Sequence, residues 1–286
     1  MQSTHTFRFL FSLLIIAVSW TACSKKVGTP GPLDASSTGK LARYDLATED
    51  YDVLPVTTFT YSYDANNHTT NVFEKSGQTL TSFALSYNGS NLGQVTDNNL
   101  GAQNFSYDDG GRLSRIDFTT VTDTGKRIYS YDSTGLLLAV VDSVKKPNQL
   151  PIITQYLFSY DNGNVTLITQ NSLDLEGRPT LTQLSYYTFD DKSNPFVASP
   201  WQRDATLLPA GIASLVNKNN IVQTRLVGTI FQTSGGSTVG EFDTISNYVS
   251  SRQYTYNAKG FPVTCKEAFQ DLQFNYSGNR SFTYDY

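Results

Sequence analysis

Side chains able to do chemistry are few in this 286-residue chain, and they stand apart from one another. It has two cysteines, Cys23 and Cys265, and two histidines, His5 and His68. A multi-histidine metal site or a cysteine–histidine cluster needs more ligands than these. A serine nucleophile working with His68 would sit on a Gly-x-Ser-x-Gly elbow, and the chain has none. Glycine loops that cradle phosphate are missing as well. Carboxylates do come in adjacent pairs, Asp108-Asp109 and Asp190-Asp191. Neighbours on a strand point to opposite faces, so neither pair can share a proton. Each Asp is accounted for as a turn former, its short side chain bonding the backbone two residues on. Oxygen ligands for calcium gather at such turns, but no twelve-residue calcium loop occurs. The reading is a non-enzyme with no metal and no cofactor.

The elements that carry those carboxylates repeat. Aromatic, Ser or Thr, aromatic, then Asp or Asn recurs as Tyr61–Asp64, Phe105–Asp108, Tyr129–Asp132, Phe158–Asp161, Tyr187–Asp190, Tyr254–Asn257 and Phe282–Asp285. Looser copies are Leu85–Asn88 and Phe274–Ser277. Aromatics at i and i+2 share one face of a strand, and the hydroxyl between them takes the other. Asp or Asn then opens a turn, and a glycine follows, as in Asp108-Asp109-Gly110-Gly111 and Asp132-Ser133-Thr134-Gly135. The phrase is the end of one strand and the start of a hairpin. Its aromatics are either a sheet core or a stacking platform for sugars or bases.

Successive copies lie about 20–29 residues apart, room for two strands of eight to ten residues and two turns. The other hairpin ends carry Ser76-Gly77, Thr124-Gly125, Lys146-Pro147-Asn148 and Glu176-Gly177-Arg178. This predicts an all-β fold over 51–286: a large antiparallel up-and-down meander of about 14–16 strands, barrel-like or a strongly curved sheet. A closed barrel of that size is too wide for side chains to fill. An inward aromatic face would call for a plug, a ligand or flattening, and an outward one would make a membrane barrel with a polar lumen.

Between Phe189 and Tyr254 the rhythm stops. In an insertion at about 190–220, Leu208, Ile212, Leu215 and Val216 fall at helical spacing, which predicts one short helix near 205–217 covering a sheet edge or barrel mouth. Phe196 and Trp201 are the candidate binding residues of this insertion.

Residues 1–22 read as an export signal, with Arg8 followed by the apolar run Phe9 to Val18. The sequence Trp20-Thr21-Ala22-Cys23-Ser24 resembles a bacterial lipoprotein box, which implies lipidation of Cys23. A flexible tether over 23–50 follows, rich in Lys, Gly, Pro and Ser, and about 25 residues of coil reach on the order of 25–30 Å. The alternative is an ordinary secretory signal. Cys265 is then a lone buried thiol.

Losing Arg8 with the signal moves the formal charge from −4 to −5, which speaks against nucleic acid, whose binders carry a basic stripe. The phrase Tyr107-Asp108-Asp109-Gly110-Gly111-Arg112-Leu113 resembles the YD repeat of RHS-type proteins. With the Cys23 box, the repeated strands and Asp191-Lys192-Ser193-Asn194-Pro195-Phe196, the chain resembles the bacterial lipoprotein family called domain of unknown function 4595. That resemblance implies a porin-like fold over 50–286 and a Gram-negative outer membrane, facing the periplasm or the surface. The expected function is a lipid-anchored, non-enzymatic binding or scaffold module with a glycan or protein ligand. The alternatives are a porin-like outer-membrane barrel and an envelope enzyme or accessory to glycan degradation.

Overall fold

The structure is a computed structural model, and it describes residues 41–48, 56–97, 101–194, 217–234 and 237–286. Its strands in chain order are β1 (Arg43–Thr48), β2 (Thr57–Tyr63), β3 (Thr69–Ser76), β4 (Thr79–Asn88), β5 (Asn91–Asp97), β6 (Gly101–Tyr107), β7 (Leu113–Thr119) and β8 (Thr124–Tyr131). They continue as β9 (Leu137–Lys145), β10 (Ile152–Asp161), β11 (Asn164–Leu173), β12 (Pro179–Ser193), β13 (Asn219–Ser234), β14 (Ser237–Tyr256), β15 (Pro262–Asp271) and β16 (Tyr276–Asp285). Each strand pairs antiparallel with its sequence neighbours, and β1 pairs with β16 to close a sixteen-strand barrel.

Period-2 alternation sets the faces, and the aromatic face is the inner one. Tyr61, Leu85, Phe105, Tyr129, Phe158, Tyr187 and Tyr284 are buried together with Val72, Ile116, Val140, Val165 and Ile168 in one apolar cluster. The following aromatics, Tyr63, Tyr87, Tyr107, Tyr131, Tyr160 and Phe189, pack against it. The hydroxyl residues between them, including Ser86, Ser106, Ser130, Ser159, Thr188 and Thr255, are exposed on the outer wall.

Seven of the nine phrases also break register at one place, all but Phe274–Ser277 and Phe282–Asp285. A β-bulge falls between the hydroxyl residue and the second aromatic at 62/63, 86/87, 106/107, 130/131, 159/160, 188/189 and 255/256. A bulge adds one residue to the partner strand and increases the local twist, which helps bend a sheet into a barrel. Bulged hydroxyls hold the position: Thr70 Oγ1 donates to Ser62 O (3.4 Å), Ser114 Oγ to Ser106 O (3.1 Å) and Thr166 Oγ1 to Ser159 O (3.4 Å).

The turns that follow the full phrases and Leu85–Asn88 lie at one end, the near rim, together with Leu41 and Tyr286, whereas the looser copy Phe274–Ser277 falls on the β15–β16 hairpin at the other end. Their Asp residues do what the sequence implies. Asp108 Oδ1 accepts from Gly110 N and Arg112 N at 3.0 and 2.8 Å, while Gly111 takes φ +74°. Asp64, Asp132 and Asn257 build the same turn, and so does Asp174 at the opposite, far rim. On the inner wall toward the far rim, Gly125 is required by packing. A Cβ there would lie 2.3 Å from the Phe118 ring and 2.5 Å from Ser143 O.

Three boundaries differ from the sequence reading. Arg43–Thr48, within the stretch expected as tether, is the strand that closes the barrel. Asp190–Ser193, expected as insertion, continues β12. Asn217, at the end of the expected helix, is not helical and leads into β13; the rest of 205–217 lies outside the described residues.

Candidate functional site

The near rim is tied by a ring of phenols. Tyr63, Tyr87, Tyr107, Tyr131 and Tyr160 each donate to a backbone carbonyl across the strand pair: Leu41, Thr69, Leu92, Leu113 and Leu137, at 2.7–3.0 Å. Tyr254 reaches Ile221 O at 3.1 Å and Tyr286 reaches Pro262 O at 3.0 Å. The acceptors stand within two residues of the start of an odd-numbered strand, seven of the eight in the barrel. The first five phenols each reach back to the strand before their own, whereas the bulge lies on the side of the strand after it. Burial pushes the Tyr63 phenol up to about 12, so the ring holds neutral donors.

The eighth odd strand, β11, is where the ring departs from pattern. Its turn in the phrase series belongs to Phe189, the one second aromatic without a hydroxyl. β12 runs on past Phe189 to Ser193, and the described chain resumes at Asn217, whose buried side chain accepts from Val165 N. Around it an asparagine cluster closes the gap. Asn164 Nδ2 donates to Asn219 Oδ1 (3.0 Å), Asn194 Nδ2 to Asn217 O (2.8 Å) and Asn219 Nδ2 to Lys192 O (3.1 Å).

Asp190 is the centre of the adjoining set. Its carboxylate accepts from Lys192 N (3.0 Å), Asn220 N (3.1 Å), Asn220 Nδ2 (3.2 Å) and the Tyr256 hydroxyl. Burial, then the Asp190 carboxylate, raise the Tyr256 phenol pKa. A carboxylate with this many donors is committed to holding backbone, so the arrangement pins the two ends of the 195–216 segment to the rim and does not activate a nucleophile. Tyr256, freed from the carbonyl ring by this role, leaves the Ile221 carbonyl to Tyr254.

Ion pairs line the inner wall below the aromatics. Glu267 is 1 % exposed and takes Arg252 Nε at 3.0 Å and Arg280 at 3.4 Å; the Arg280 guanidinium lies 4.5 Å over the Phe269 ring. Arg127 meets Asp142 at 3.4 Å and covers Phe118. Burial raises the Asp142 carboxyl pKa, and Arg127 opposes it only in part. Neither group pairs an acid with a base in an open cleft. Among the described residues no three His, Cys, Asp or Glu side chains gather as a metal site.

The residues singled out from sequence fall mostly elsewhere. Cys23, Phe196 and Trp201 lie outside the described residues. Cys265 is buried and unpaired by disulfide, and burial pushes its thiol up to about 11. His68 caps its turn, with Nδ1 3.2 Å from Asp64 Oδ2 and its ring stacked on Tyr87 at 4.5 Å. The asparagine cluster and the Glu267 triad went unseen in the sequence. Their signals were present: Phe189 in a tyrosine position, the run Asn217 to Asn220, and charges at inward positions 252, 267 and 280.

No family model matches the chain, and no curated protein does. Solved structures do. A porin-like protein from Bacteroides uniformis ATCC 8492 superposes with a TM-score of 0.56 over 87% of this chain and 98% of that one, at 14% identity. The fold is porin-like. A second porin-like protein, from Bacteroides vulgatus ATCC 8482, gives 0.52 over 86% and 98%, at 11% identity. At such identities the porin-like likeness is one of architecture, and it accords with the closed meander built from the phrase.

Proposed function

We propose that this porin-like barrel works in water, as a non-enzymatic binding or scaffold module tethered to the outer membrane through a lipid on Cys23. The direction of the faces carries the reading. A membrane barrel turns an apolar band about 25 Å tall toward lipid and keeps a polar lumen. Here the buried tyrosines, leucines and valines of the core look inward, while Ser86, Ser106, Arg115, Lys126, Ser130, Ser159, Thr255, Lys266 and Gln270 stand on the outer wall, with the exposed Phe73, Ile128, Leu138, Leu157 and Tyr186 between them. The lipoprotein box supports the anchor. Palmitate labelling of the wild type, lost in Cys23→Ala, is the expected result. Release of the wild-type chain from membranes by carbonate without detergent would sink the anchor.

A pore-like outer-membrane barrel is the second reading, favoured by the closed sixteen-strand topology and by the description of the two Bacteroides structures. Heat-dependent gel mobility together with ion conductance in planar bilayers would establish it. A barrel lacking residues 1–23 that stays dispersed and folded without detergent would remove it.

A further inference from the structure

The two rims differ in what their turns expose. The five most exposed large apolar residues of the described chain are Val121 (83 %), Phe274 (74 %), Leu150 (69 %), Leu175 (61 %) and Leu80 (55 %). All five lie at the far rim, one on each hairpin there whose turn is described: β7–β8, β15–β16, β9–β10, β11–β12 and β3–β4. Near-rim turns hold mainly Asp, Asn, Gly, Ser and Ala; of their large apolar members Leu136 is exposed and Phe261 buried, and Leu138, like Leu80 the second residue of its strand, is exposed on the same β8–β9 hairpin. Single exposed leucines are ordinary on any surface. One on every described far hairpin, against the β8–β9 hairpin among the described near ones, is a pattern.

We infer that the far rim docks on the interfacial layer of a phospholipid bilayer. Turns spaced around the end of a closed barrel form a ring, and a ring of tips fits a planar surface, whereas a protein partner takes one contiguous patch. The tips sit among polar turn residues, with Ile152 beside Leu150 and Leu272 and Tyr276 beside Phe274, so the apolar area is divided among separate hairpins. Lys75, Lys145 and Lys146 are exposed on the same rim, beside the carboxylates of Asp123, Asp174, Glu176 and Asp271, and can keep their ammonium groups at headgroup level while the tips enter. The chain ends are at the near rim, and about 18 residues separate Cys23 from Leu41. Fully extended they span about 60 Å, against about 33 Å for a ten-residue strand, so an anchored barrel can present its far rim to the same bilayer. The docking does not depend on the lipid at Cys23.

Binding of a chain that begins at Ser24, and so lacks the signal and the acylated cysteine, tests it; this chain retains every strand of the closed barrel. Single cysteines at Val121, Leu150 or Leu175, and at Ser133 on the near rim, carry an environment-sensitive fluorophore, with Cys265 left buried. Vesicles of phosphatidylethanolamine and phosphatidylglycerol, and of phosphatidylcholine alone, are the probes. The expected result is flotation with the vesicles, with blue shift and quenching by brominated acyl chains at the three far positions and not at Ser133. Combining Val121→Asp, Leu150→Asp and Leu175→Asp should weaken flotation at least about tenfold, near the loss of 1.4 kcal/mol of binding. Circular dichroism checks that this variant folds, and the single labels carry the test if it does not. Failure of the wild type to float overturns the inference, and so do equal signals at both rims. Flotation that requires phosphatidylglycerol and survives the triple substitution assigns the binding to charge and overturns it as well. A far rim that ignores vesicles but doubles the mass in sedimentation makes it a contact between copies.

Discussion

The near half of this barrel is dry, tied and regular, while the far rim is wet and tipped with apolar side chains. Both ends use the same turn: Asp108 at the near rim and Asp174 at the far rim bind their own backbone and the arginine four residues on in the same way. What differs is the inner wall behind the turn. Near-rim hairpins close over a phenol–carbonyl ring and a buried cluster, whereas far-rim hairpins end beyond the aromatics and expose a leucine, valine or phenylalanine. Turn chemistry therefore sets where the chain reverses, and the layer behind the turn sets which end is rigid.

Thiol reactivity should separate the two halves most widely. Cys265 in the native chain should react with a thiol reagent only through unfolding, slower by roughly a thousandfold or more than a cysteine placed at Leu150. Equal rates would show the near half to be open. Core truncation comes next. Ile116→Ala, at a fully buried site, should cost about 2–5 kcal/mol in denaturant unfolding. Leu150→Ala should stay within about 0.5 kcal/mol. Tyr131→Phe, which strips the Leu113 carbonyl of its donor, should cost about 1–2 kcal/mol. Phe189→Tyr should gain nothing beyond about 0.5 kcal/mol, because this part of the rim is already tied by the Val165 N–H to Asn217 and by Asn164 to Asn219, although the carbonyl of Val165 is not what Asn217 binds. A clear stabilisation there would show the eighth position to be merely an unfinished copy of the others.

The smallest effect is a pH dependence shared by both rims. Backbone donors, foremost the amide four residues on, lower the carboxyl pKa of Asp64, Asp108 and Asp174; in Asp132 the Thr134 hydroxyl does most. A folded value below the unfolded one gives stability that is complete above the usual 3.8 and is lost as pH falls through the lowered values. The thermal midpoint should therefore drop below about pH 4. Asp108→Asn and Asp174→Asn should each shallow that drop to a similar degree. A change confined to the near-rim variant would break the equivalence of the turns.

Much of the fold was legible because the phrase is local. Tyr61-Ser62-Tyr63-Asp64 specifies a strand end, a face and a turn without outside help, and repetition multiplies the signal. Arg43–Thr48 was hidden because six residues after a polar stretch become a strand only when β16 and β2 are on either side. Asp190 read as a turn former because its phrase matches the others; what recruits it is Tyr256, 66 residues on. Glu267 looked like an ordinary strand residue, since nothing in a linear reading places Arg252 and Arg280 on the two neighbouring strands.

Alternation and turn residues alone determined that this chain is an antiparallel meander with its aromatics on one face, since both follow from backbone geometry over a few residues. Whether that face looks in or out, whether the first strand meets the last, and which end exposes its apolar turns were decided only by closure. Closing a sheet fixes curvature and register between residues more than two hundred positions apart, and no short stretch of sequence contains that constraint.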